Sequence, residues 1–353
     1  MNTDINERNN KMVAIWLLIG VFMIVIQVMI GGITRLTESG LSITEWKPIT
    51  GILPPLNNHD WQIEFNKYRT TDQFKYVHGN FQLSDFKFIF FWEWFHRVWA
   101  RMLGVVFLIG FVYFFIKKRF DKKMILPMIL LFVLGALQGL VGWLMVKSGL
   151  VPEKFYVGHV ELTTHFISAL ILLSYTLWFA LSLLPAFKPK VVNVRIKNIL
   201  WLILSVLFIQ LIFGGFMAGL RAAQSAPTWP DINGYFIPPT INELHPGIQN
   251  VFNNVLTIHF IHRGLAYLLL ILVVYFFITS SGKKINVLFN RFRFLLFGLI
   301  LLQVVLGIFT VLNGTDRVAL VWFGVSHQFV AMIFLICLTC LLFLVRKKSQ
   351  LIS

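Results

Sequence analysis

Long apolar runs alternate with polar segments along the whole chain. An α-helix needs about 20 predominantly apolar residues to cross the hydrocarbon core of a bilayer, and the runs reach that length. The pattern therefore predicts an all-α integral membrane protein with eight transmembrane helices. The predicted spans cover about 12–32, 90–116, 124–146, 158–181, 198–220, 256–278, 294–313 and 321–345.

The composition supports this fold class. Hydrophobic residues occupy 57% of the 353 positions, whereas charged residues occupy only 13%. Soluble globular domains carry about 25% charged residues, so an ordinary soluble domain is excluded. The formal net charge is +16. In a membrane protein such a basic excess is interpreted through loop topology before nucleic-acid binding is considered.

The polar connections fall into two sets that differ in charge. One set is short and strongly basic, with Asp121 as its single acid, and it comprises residues 117–123, 185–197, 280–293 and the tail 346–353. The other set, residues 33–89 and 221–255, mixes both signs of charge. An excess of Lys and Arg in short loops marks the cytoplasmic side of a membrane. Both termini are therefore predicted to be cytoplasmic, with the two long loops outside.

The two halves of the chain carry the same landmarks in the same order. GGITRL (31–36) matches GGFMAGL (214–220), and WKPITGILPP (46–55) matches WPDINGYFIPP (229–239). The later matches are His96-Arg97 with His262-Arg263, Gln138 with Gln303, and His165 with His327. A repeat of four helices has the same orientation in both copies, which predicts two parallel-repeat four-helix bundles. The predicted halves are residues 1–184 and 185–353.

Four histidines occupy matched positions in the even-numbered spans: His96, His165, His262 and His327. Each lies roughly six or seven residues from the outer end of its predicted helix, which is a depth of about 10 Å. Two imidazoles in each half fit the two axial positions of a haem iron. Zinc is a poorer fit because it needs four ligands that converge on one point. Satisfied core histidines remain the alternative, and a ligand role for His259 stays open.

The halves differ at one acidic position. Glu93 precedes His96 by three residues and shares its helix face, whereas the position three before His262 is His259. This asymmetry predicts that the C-terminal half holds a cofactor while the N-terminal half carries an acid–base group beside the iron. The alternative is that Glu93 only forms an ion pair with Arg97 or Arg101.

Two further hypotheses concern basic and sulfur-bearing side chains. Arginines near the outer interface could bind anionic haem propionates through bidentate contacts. These arginines are Arg35, Arg97, Arg221 and Arg263. Cys337 and Cys340 have the spacing of a redox motif, but they lie inside the last span. We interpret both cysteines as small core residues.

These motifs resemble the haem A synthase family over essentially the whole chain. The resemblance rests on GGITRLTESGLSITEWKPITGILPP (31–55), Glu93-Trp-Phe-His96-Arg97, His165, His262-Arg263 and His327-Gln328. It implies that His262 and His327 bind haem b as a cofactor, and that His96 and His165 receive haem O as the substrate. It also implies a catalytic role for Glu93. The implied reaction oxidises the C8 methyl group of haem O to a formyl group, with oxygen from water, to give haem A for cytochrome oxidase.

The resemblance also implies a cellular context. The chain has no cysteine pair in its predicted outer loops, which resembles the proteobacterial and mitochondrial branch. The segment MNTDINERNN lacks the character of a transit peptide, so a bacterial inner membrane is expected. Haem O synthase and cytochrome oxidase assembly factors are the expected partners. A dihaem b-type cytochrome that passes electrons between quinol and a partner is the alternative, and a proton-coupled transporter is a third interpretation.

Overall fold

The computed structural model describes residues 2–45, 50–187, 194–282 and 287–346, and no β-strand occurs among them. Trp46 and parts of the three predicted cytoplasmic segments (188–193, 283–286 and 347–353) lie outside these ranges. The α-helices are α1 (Asn2–Leu36), α2 (Asn58–Arg69), α3 (Asp72–Tyr76), α4 (Leu83–Ile116), α5 (Lys122–Gly149), α6 (His159–Ser182), α7 (Val194–Gly219), α8 (Ala222–Ser225), α9 (Gln249–Asn253), α10 (Val255–Thr279), α11 (Val287–Leu312) and α12 (Arg317–Leu344).

Eight of these helices are long and apolar enough to span a membrane, as the sequence predicts. They are α1, α4, α5, α6, α7, α10, α11 and α12. Several extend beyond the predicted spans because polar turns continue the helix outside the apolar run. The start of α4 at Leu83 illustrates this, since the Asp85 carboxylate accepts a hydrogen bond of 2.8 Å from the Gln82 backbone N–H and so caps the helix.

The spanning helices pack in two groups of four. In the C-terminal half α7 contacts α10, α10 contacts α11, α11 contacts α12, and α12 returns to α7. In the N-terminal half α1 packs against α4 and α6, and α5 packs against α6. The halves meet where α6 contacts α7 and α12, and where α1 contacts α12. The parallel orientation of the two groups and the cytoplasmic placement of both termini stay predictions.

A large apolar core lies where the two groups meet. It is built mainly from leucine, isoleucine and phenylalanine side chains of the inner helices α1, α6, α7 and α12. Cys337 and Cys340 are buried in this core, which confirms that they are small core residues. The thiol of Cys337 donates a hydrogen bond to the Phe292 carbonyl, so it also links α12 to α11.

An aromatic cap formed by α2, α3 and the start of α4 covers one end of the N-terminal half. Its centre contains Phe65, Tyr68, Phe86 and Phe90. The loop positions of His59, His78 and His245 predict solvated imidazoles. His59 and His245 are exposed, but the prediction is wrong for His78, which is buried beneath this cap. A hydrogen bond of 2.6 Å joins the His78 Nδ1 and Tyr68 Oη atoms, and the His78 Nε2–H group donates to the Glu38 carboxylate at 3.0 Å. Enclosure by the aromatic rings, which the sequence pattern did not reveal, excludes water from this imidazole.

An ion pair ties the two halves together near the ends of α1 and α7. Arg221 Nη2 lies 2.5 Å from Glu38 Oε1, and both residues adopt a left-handed backbone conformation, with φ values of 55° and 62°. The two residues occupy matching positions, each six residues after the second glycine of a matched GG pair. Burial alone would raise the pKa of Glu38. The hydrogen bond from His78 and the charge of Arg221 outweigh that effect, so the pKa of Glu38 lies below its usual range.

We predict that Glu38→Gln and Arg221→Gln each destabilise the protein and that their effects are not additive. A double-mutant cycle on thermal unfolding of the detergent-purified protein should give a coupling of about 1–3 kcal/mol at pH 7. Because the folded-state pKa of Glu38 is lowered, this stabilisation is present above the unfolded pKa and is lost as the pH falls through the folded pKa. Additive effects at pH 7, or a coupling that does not weaken as the pH falls through the folded pKa of Glu38, would contradict the prediction.

Candidate functional site

The structure brings the four predicted histidines together as two pairs, one in each half. His96 of α4 and His165 of α6 form the first pair, and His262 of α10 and His327 of α12 form the second. The helices of each pair share a packing partner, since α4 and α6 both pack against α1, and α10 and α12 both pack against α11. All four side chains are only partly buried although they lie within spanning helices.

Each imidazole lies against a glycine of the preceding spanning helix. The pairs are Gly31 with His96, Gly142 with His165, Gly214 with His262, and Gly307 with His327. A Cβ atom added at these glycines would lie 3.2, 2.7, 3.3 and 3.0 Å from the nearest ring atom. Most side-chain contacts are longer than this, so the absence of a side chain at these four positions is what lets the rings pack against the helix backbone.

A glutamine precedes each of these glycines by four residues, which is about one helical turn. The segments are QVMIG (27–31), QGLVG (138–142), QLIFG (210–214) and QVVLG (303–307). Gln138 and Gln303 were recognisable from the sequence as repeat landmarks. The fourfold Gln-x-x-x-Gly pattern was missed, although it is visible in the sequence. This pattern marks the helix face that lies opposite each histidine and could have been used to predict it.

In the N-terminal half both glutamines donate to the backbone of the histidine that they face. The Gln27 side-chain N–H donates to the His96 carbonyl at 3.2 Å, and that of Gln138 donates to the His165 carbonyl at 3.1 Å. The Gln138 Nε2 atom also lies 3.2 Å from His165 Nδ1. The Ser168 hydroxyl donates to the Gln138 Oε1 atom at 2.5 Å. The amide of Gln138 is therefore held at both ends.

In the C-terminal half both glutamines face the imidazole rings instead. The Nε2 atoms of Gln210 and His262 are 3.3 Å apart, and those of Gln303 and His327 are 3.2 Å apart. The Oε1 atoms of both glutamines and the Nδ1 atoms of both histidines are buried without a hydrogen-bond partner in the described part of the chain. Each ring thus has one nitrogen in contact with an amide and one nitrogen that still requires a partner.

Glu93 is buried one helical turn from His96, and its carboxylate is fully hydrogen-bonded. It accepts from the Ser42 hydroxyl at 2.7 Å, from the Ile43 backbone N–H at 2.8 Å and from the Arg97 guanidinium at 2.6 Å. The ion pair with Arg97, which was the alternative interpretation of this acid, is present. Glu93 also joins α4 to the loop that follows α1. Its catalytic role stays a prediction.

The position that matches Glu93 is His259. Like Glu93, His259 contacts the arginine four residues later, but its side chain is an imidazole and not a carboxylate. His259 is fully buried and its Nε2 atom accepts a hydrogen bond of 3.2 Å from the Nε–H group of Arg263. Each half therefore has an arginine bound to the side chain four residues before it. An anionic carboxylate occurs at that position in the N-terminal half and an imidazole in the C-terminal half.

The arginines beside the histidines hold the long loops that follow α1 and α7. Arg97 donates to the carbonyls of Ile43 and Glu45 at 3.1 and 3.5 Å, and Arg263 donates to those of Thr228 and Asp231 at 2.6 and 2.7 Å. Arg35 donates across the two halves to the carbonyls of Ala218 and Gly219, and Arg221 pairs with Glu38. These guanidinium groups are therefore engaged by the protein itself. The hypothesis that the four arginines bind propionates gains no support from their contacts.

The residues present in each half suit a planar iron complex better than a small metal ion. No group of three or more His, Cys, Asp or Glu side chains with metal-binding geometry occurs among the described residues. The two imidazoles in each half match the number of axial ligands that a haem iron requires. The unpartnered buried Nδ1 atoms of His262 and His327 fit this use, since a buried ring nitrogen needs a partner.

Comparison with known proteins gives one consistent result. A family model described as "Cytochrome oxidase assembly protein" matches residues 14–339. The "Heme A synthase" of Nitrosomonas eutropha is 36% identical, and the match covers 98% of this chain and 96% of that protein. The enzyme of the same name from Flavobacterium psychrophilum is 39% identical over 93% and 96% of the two chains. That of Novosphingobium aromaticivorans is 42% identical over 89% of each.

We predict that Gly307→Val displaces the His327 ring and removes whatever pigment the second histidine pair binds. The added carbons would compete with the imidazole for space, because a Cβ atom at this glycine would lie only 3.0 Å from the ring. Gly298→Val is the matched control because it lies on the same helix with no atom within 4 Å of its added Cβ. Absorption spectra of the purified variants provide the measurement. Equal pigment content in both variants would contradict the role assigned to Gly307.

Proposed function

Because this chain belongs to the haem A synthase family, we propose that it makes haem A by oxidising a methyl group of haem O. Membership rests on the match of the family model over most of the chain and on relatives at 36–42% identity. These comparisons support haem A synthesis and not a cytochrome that only transfers electrons. The observation that carries the proposal is this full-length similarity together with a histidine pair in each half.

The proposed reaction converts the C8 methyl group of haem O into a formyl group. Its balance is –CH₃ + H₂O → –CHO + 4 H⁺ + 4 e⁻, so the oxygen atom comes from water and the site must release four protons and four electrons. A base near the methyl group would assist proton removal, and a positioned acid–base group typically contributes about 10²–10⁴-fold to the rate. Glu93 is our candidate because it is the buried carboxylate nearest in sequence to His96.

We propose that the C-terminal half holds haem b between His262 and His327. The unpartnered Nδ1 atoms of both rings and the glycines that leave room for them support this assignment. When bound, haem b would supply a one-electron redox centre for the electrons that leave the substrate. The protein residues would fix the ring orientation, and the apolar helices around them would keep water from the iron.

We propose that the N-terminal half receives haem O at His96 and His165. Support comes from the same glycine packing, at Gly31 and Gly142, and from the carboxylate of Glu93, which this half alone carries at the matched position. The acid is linked through Ser42, Ile43 and Arg97 to the outer loop. These contacts would hold the carboxylate in one orientation and lead released protons toward the polar loop.

A bacterial cytoplasmic membrane is the proposed location, because the relatives named above are bacterial proteins and eight helices can cross a membrane. Haem O synthase and other cytochrome oxidase assembly factors are the proposed partners, in accordance with the description of the family model. The direct test is haem analysis of cells that make haem O, with and without this protein. Haem A should form only when the protein is present, and its absence in both cultures would refute the proposed activity.

We predict that His262→Ala and His327→Ala each remove haem b from the purified protein. Each change leaves the iron with one axial imidazole, because Cys337 and Cys340 are buried in the apolar core and the position that matches Glu93 is a histidine. A pyridine haemochrome assay measures the loss. His245→Ala is the control, since that histidine is exposed in an outer loop. Full haem b content in both ligand variants would refute the assignment of the cofactor to this half.

We predict that Glu93→Gln stops haem A formation while haem b is retained. Glutamine keeps the size and can still accept from Ser42 or Ile43, but it cannot take up a proton from the reacting group. The expected decrease in rate is about 10²–10⁴-fold, which would leave haem O as the main extracted pigment. Chromatography of extracted haems measures the outcome.

Arg97→Gln is the matched control for this prediction, because it breaks the same ion pair and keeps the carboxylate. If Glu93 acts only through its ion pair with Arg97, both variants should lower haem A yield to the same extent. A normal haem A yield from Glu93→Gln would return the residue to a purely structural role. Loss confined to Glu93→Gln would support proton transfer by the carboxylate itself.

A further inference from the structure

We propose that the four glutamines of the Gln-x-x-x-Gly segments determine which half keeps its haem. In the C-terminal half, Gln210 and Gln303 act as positioning residues that accept a hydrogen bond from the axial imidazoles and retain the cofactor. In the N-terminal half, Gln27 and Gln138 are held by backbone carbonyls and do not give this support, so the substrate haem can leave after oxidation. This inference rests on the proposed function, because it assumes haem at both histidine pairs.

The backbone carbonyls of the N-terminal histidines fix the orientation of the glutamines that face them. A carbonyl oxygen only accepts hydrogen bonds, so the amide end that faces it must be the NH₂ group. Gln27 therefore points its NH₂ group toward the His96 carbonyl, and Gln138 points its own toward the His165 carbonyl. The other end of Gln138 is then its oxygen, and the hydroxyl of Ser168 already occupies that oxygen at 2.5 Å.

The consequence for His165 is an unfavourable environment for iron binding. The Gln138 amide presents an N–H group, 3.2 Å away, to Nδ1 of the ring. A neutral imidazole that accepts at one nitrogen carries its proton on the other nitrogen. Iron requires an unprotonated nitrogen, and the remaining N–H of the ring then needs an acceptor. Gln138 cannot provide that acceptor while Ser168 and the His165 carbonyl hold it.

The glutamines of the C-terminal half have no such restraint. Among the described residues, their amides contact the ring nitrogens of His262 and His327. Their Oε1 atoms have no partner, as is also true of Gln27, but the NH₂ group of Gln27 is held by the His96 carbonyl. Each amide can therefore present its oxygen to the ring nitrogen that does not bind iron. An acceptor at this nitrogen fixes the ring and raises the basicity of the ligand, and its removal typically costs about 10–100-fold in metal affinity.

The difference between the halves matches what a cofactor and a substrate require. A resident haem b must survive many turnovers, so its two ligands benefit from fixed and basic imidazoles. A substrate haem must be released as product, and strong axial ligation would slow that step. The contacts of four equivalent glutamines thus provide a physical basis for retention on one side and exchange on the other.

The test measures haem b in purified variants of Gln303. Gln303→Leu removes the acceptor, and we expect haem b to transfer to excess apomyoglobin about 10–100-fold faster than from the unaltered protein. Its reduction potential should rise, because a less basic ligand stabilises ferric iron less. Gln303→Glu keeps an acceptor and adds negative charge, so its potential should fall below that of the unaltered protein. A change that acted only through packing would not shift the potential in opposite directions.

Two controls address the N-terminal half. Gln27→Leu removes the contact with the His96 carbonyl and should leave the rate of haem b transfer unchanged. Gln138→Glu replaces the N–H group that faces His165 Nδ1 with an acceptor, and we expect haem O supplied to the purified protein to dissociate about tenfold more slowly. Unchanged haem b transfer and potential in both Gln303 variants would overturn the inference while leaving the proposed function intact. An unaltered protein that contains no haem b would overturn the proposed cofactor and this inference with it.

Discussion

A polar group inside hydrocarbon must find its hydrogen-bond partner within the protein, because no water is present to replace it. In this protein the constraint applies above all to the four histidines of the spanning helices. Each ring packs on a glycine of the neighbouring helix, and a glutamine one turn away contacts either the ring or the carbonyl of the same histidine. The packing of the helices and the placement of the histidines therefore depend on the same Gln-x-x-x-Gly segment. Its glycine sets the distance between the helices, and its glutamine supplies the polar partner.

The same constraint explains the outer ends of α4 and α10. An arginine follows the histidine in each helix, and Arg97 and Arg263 donate to carbonyls at matching positions of the two outer loops, those of Glu45 and Thr228. The positive charges of Arg97 and Arg263 are balanced by different groups. Glu93 supplies a carboxylate in the N-terminal half, whereas Arg263 contacts His259 and several carbonyls. The two halves thus share one arrangement of arginine and loop, and the replacement of Glu93 by His259 changes the charge one turn from His96 or His262 without changing how the loop is attached.

The sequence predicted the features that depend on length and residue type within one helix. Hydropathy identified all eight spans, and matched order identified the histidine pairs. The features that depend on contacts between helices were not predictable in the same way. Gln27 and Gln210 lie 183 positions apart, whereas the histidines they face, His96 and His262, lie 166 apart, so no single offset aligns the glutamines with those histidines. The burial of His78 was missed for a related reason, since the aromatic cap above it comes from three separate segments.

Repetition of four helices gives two sites with similar geometry, but a synthase that keeps one haem and releases another needs the sites to differ in how firmly they hold iron. Large changes of the ligands would destroy one site. Changes in the residues that hydrogen-bond to the ligands have smaller effects on iron binding. A glutamine amide that donates to a backbone carbonyl no longer accepts a hydrogen bond from the imidazole, but the imidazole itself stays in place. Ser168 and the carbonyl of His165 have this effect on Gln138, and neither restraint acts on Gln303 in the described structure. If the histidine pairs hold haem as proposed, the functional asymmetry of the protein follows from hydrogen bonds one step removed from the iron, together with the carboxylate of Glu93.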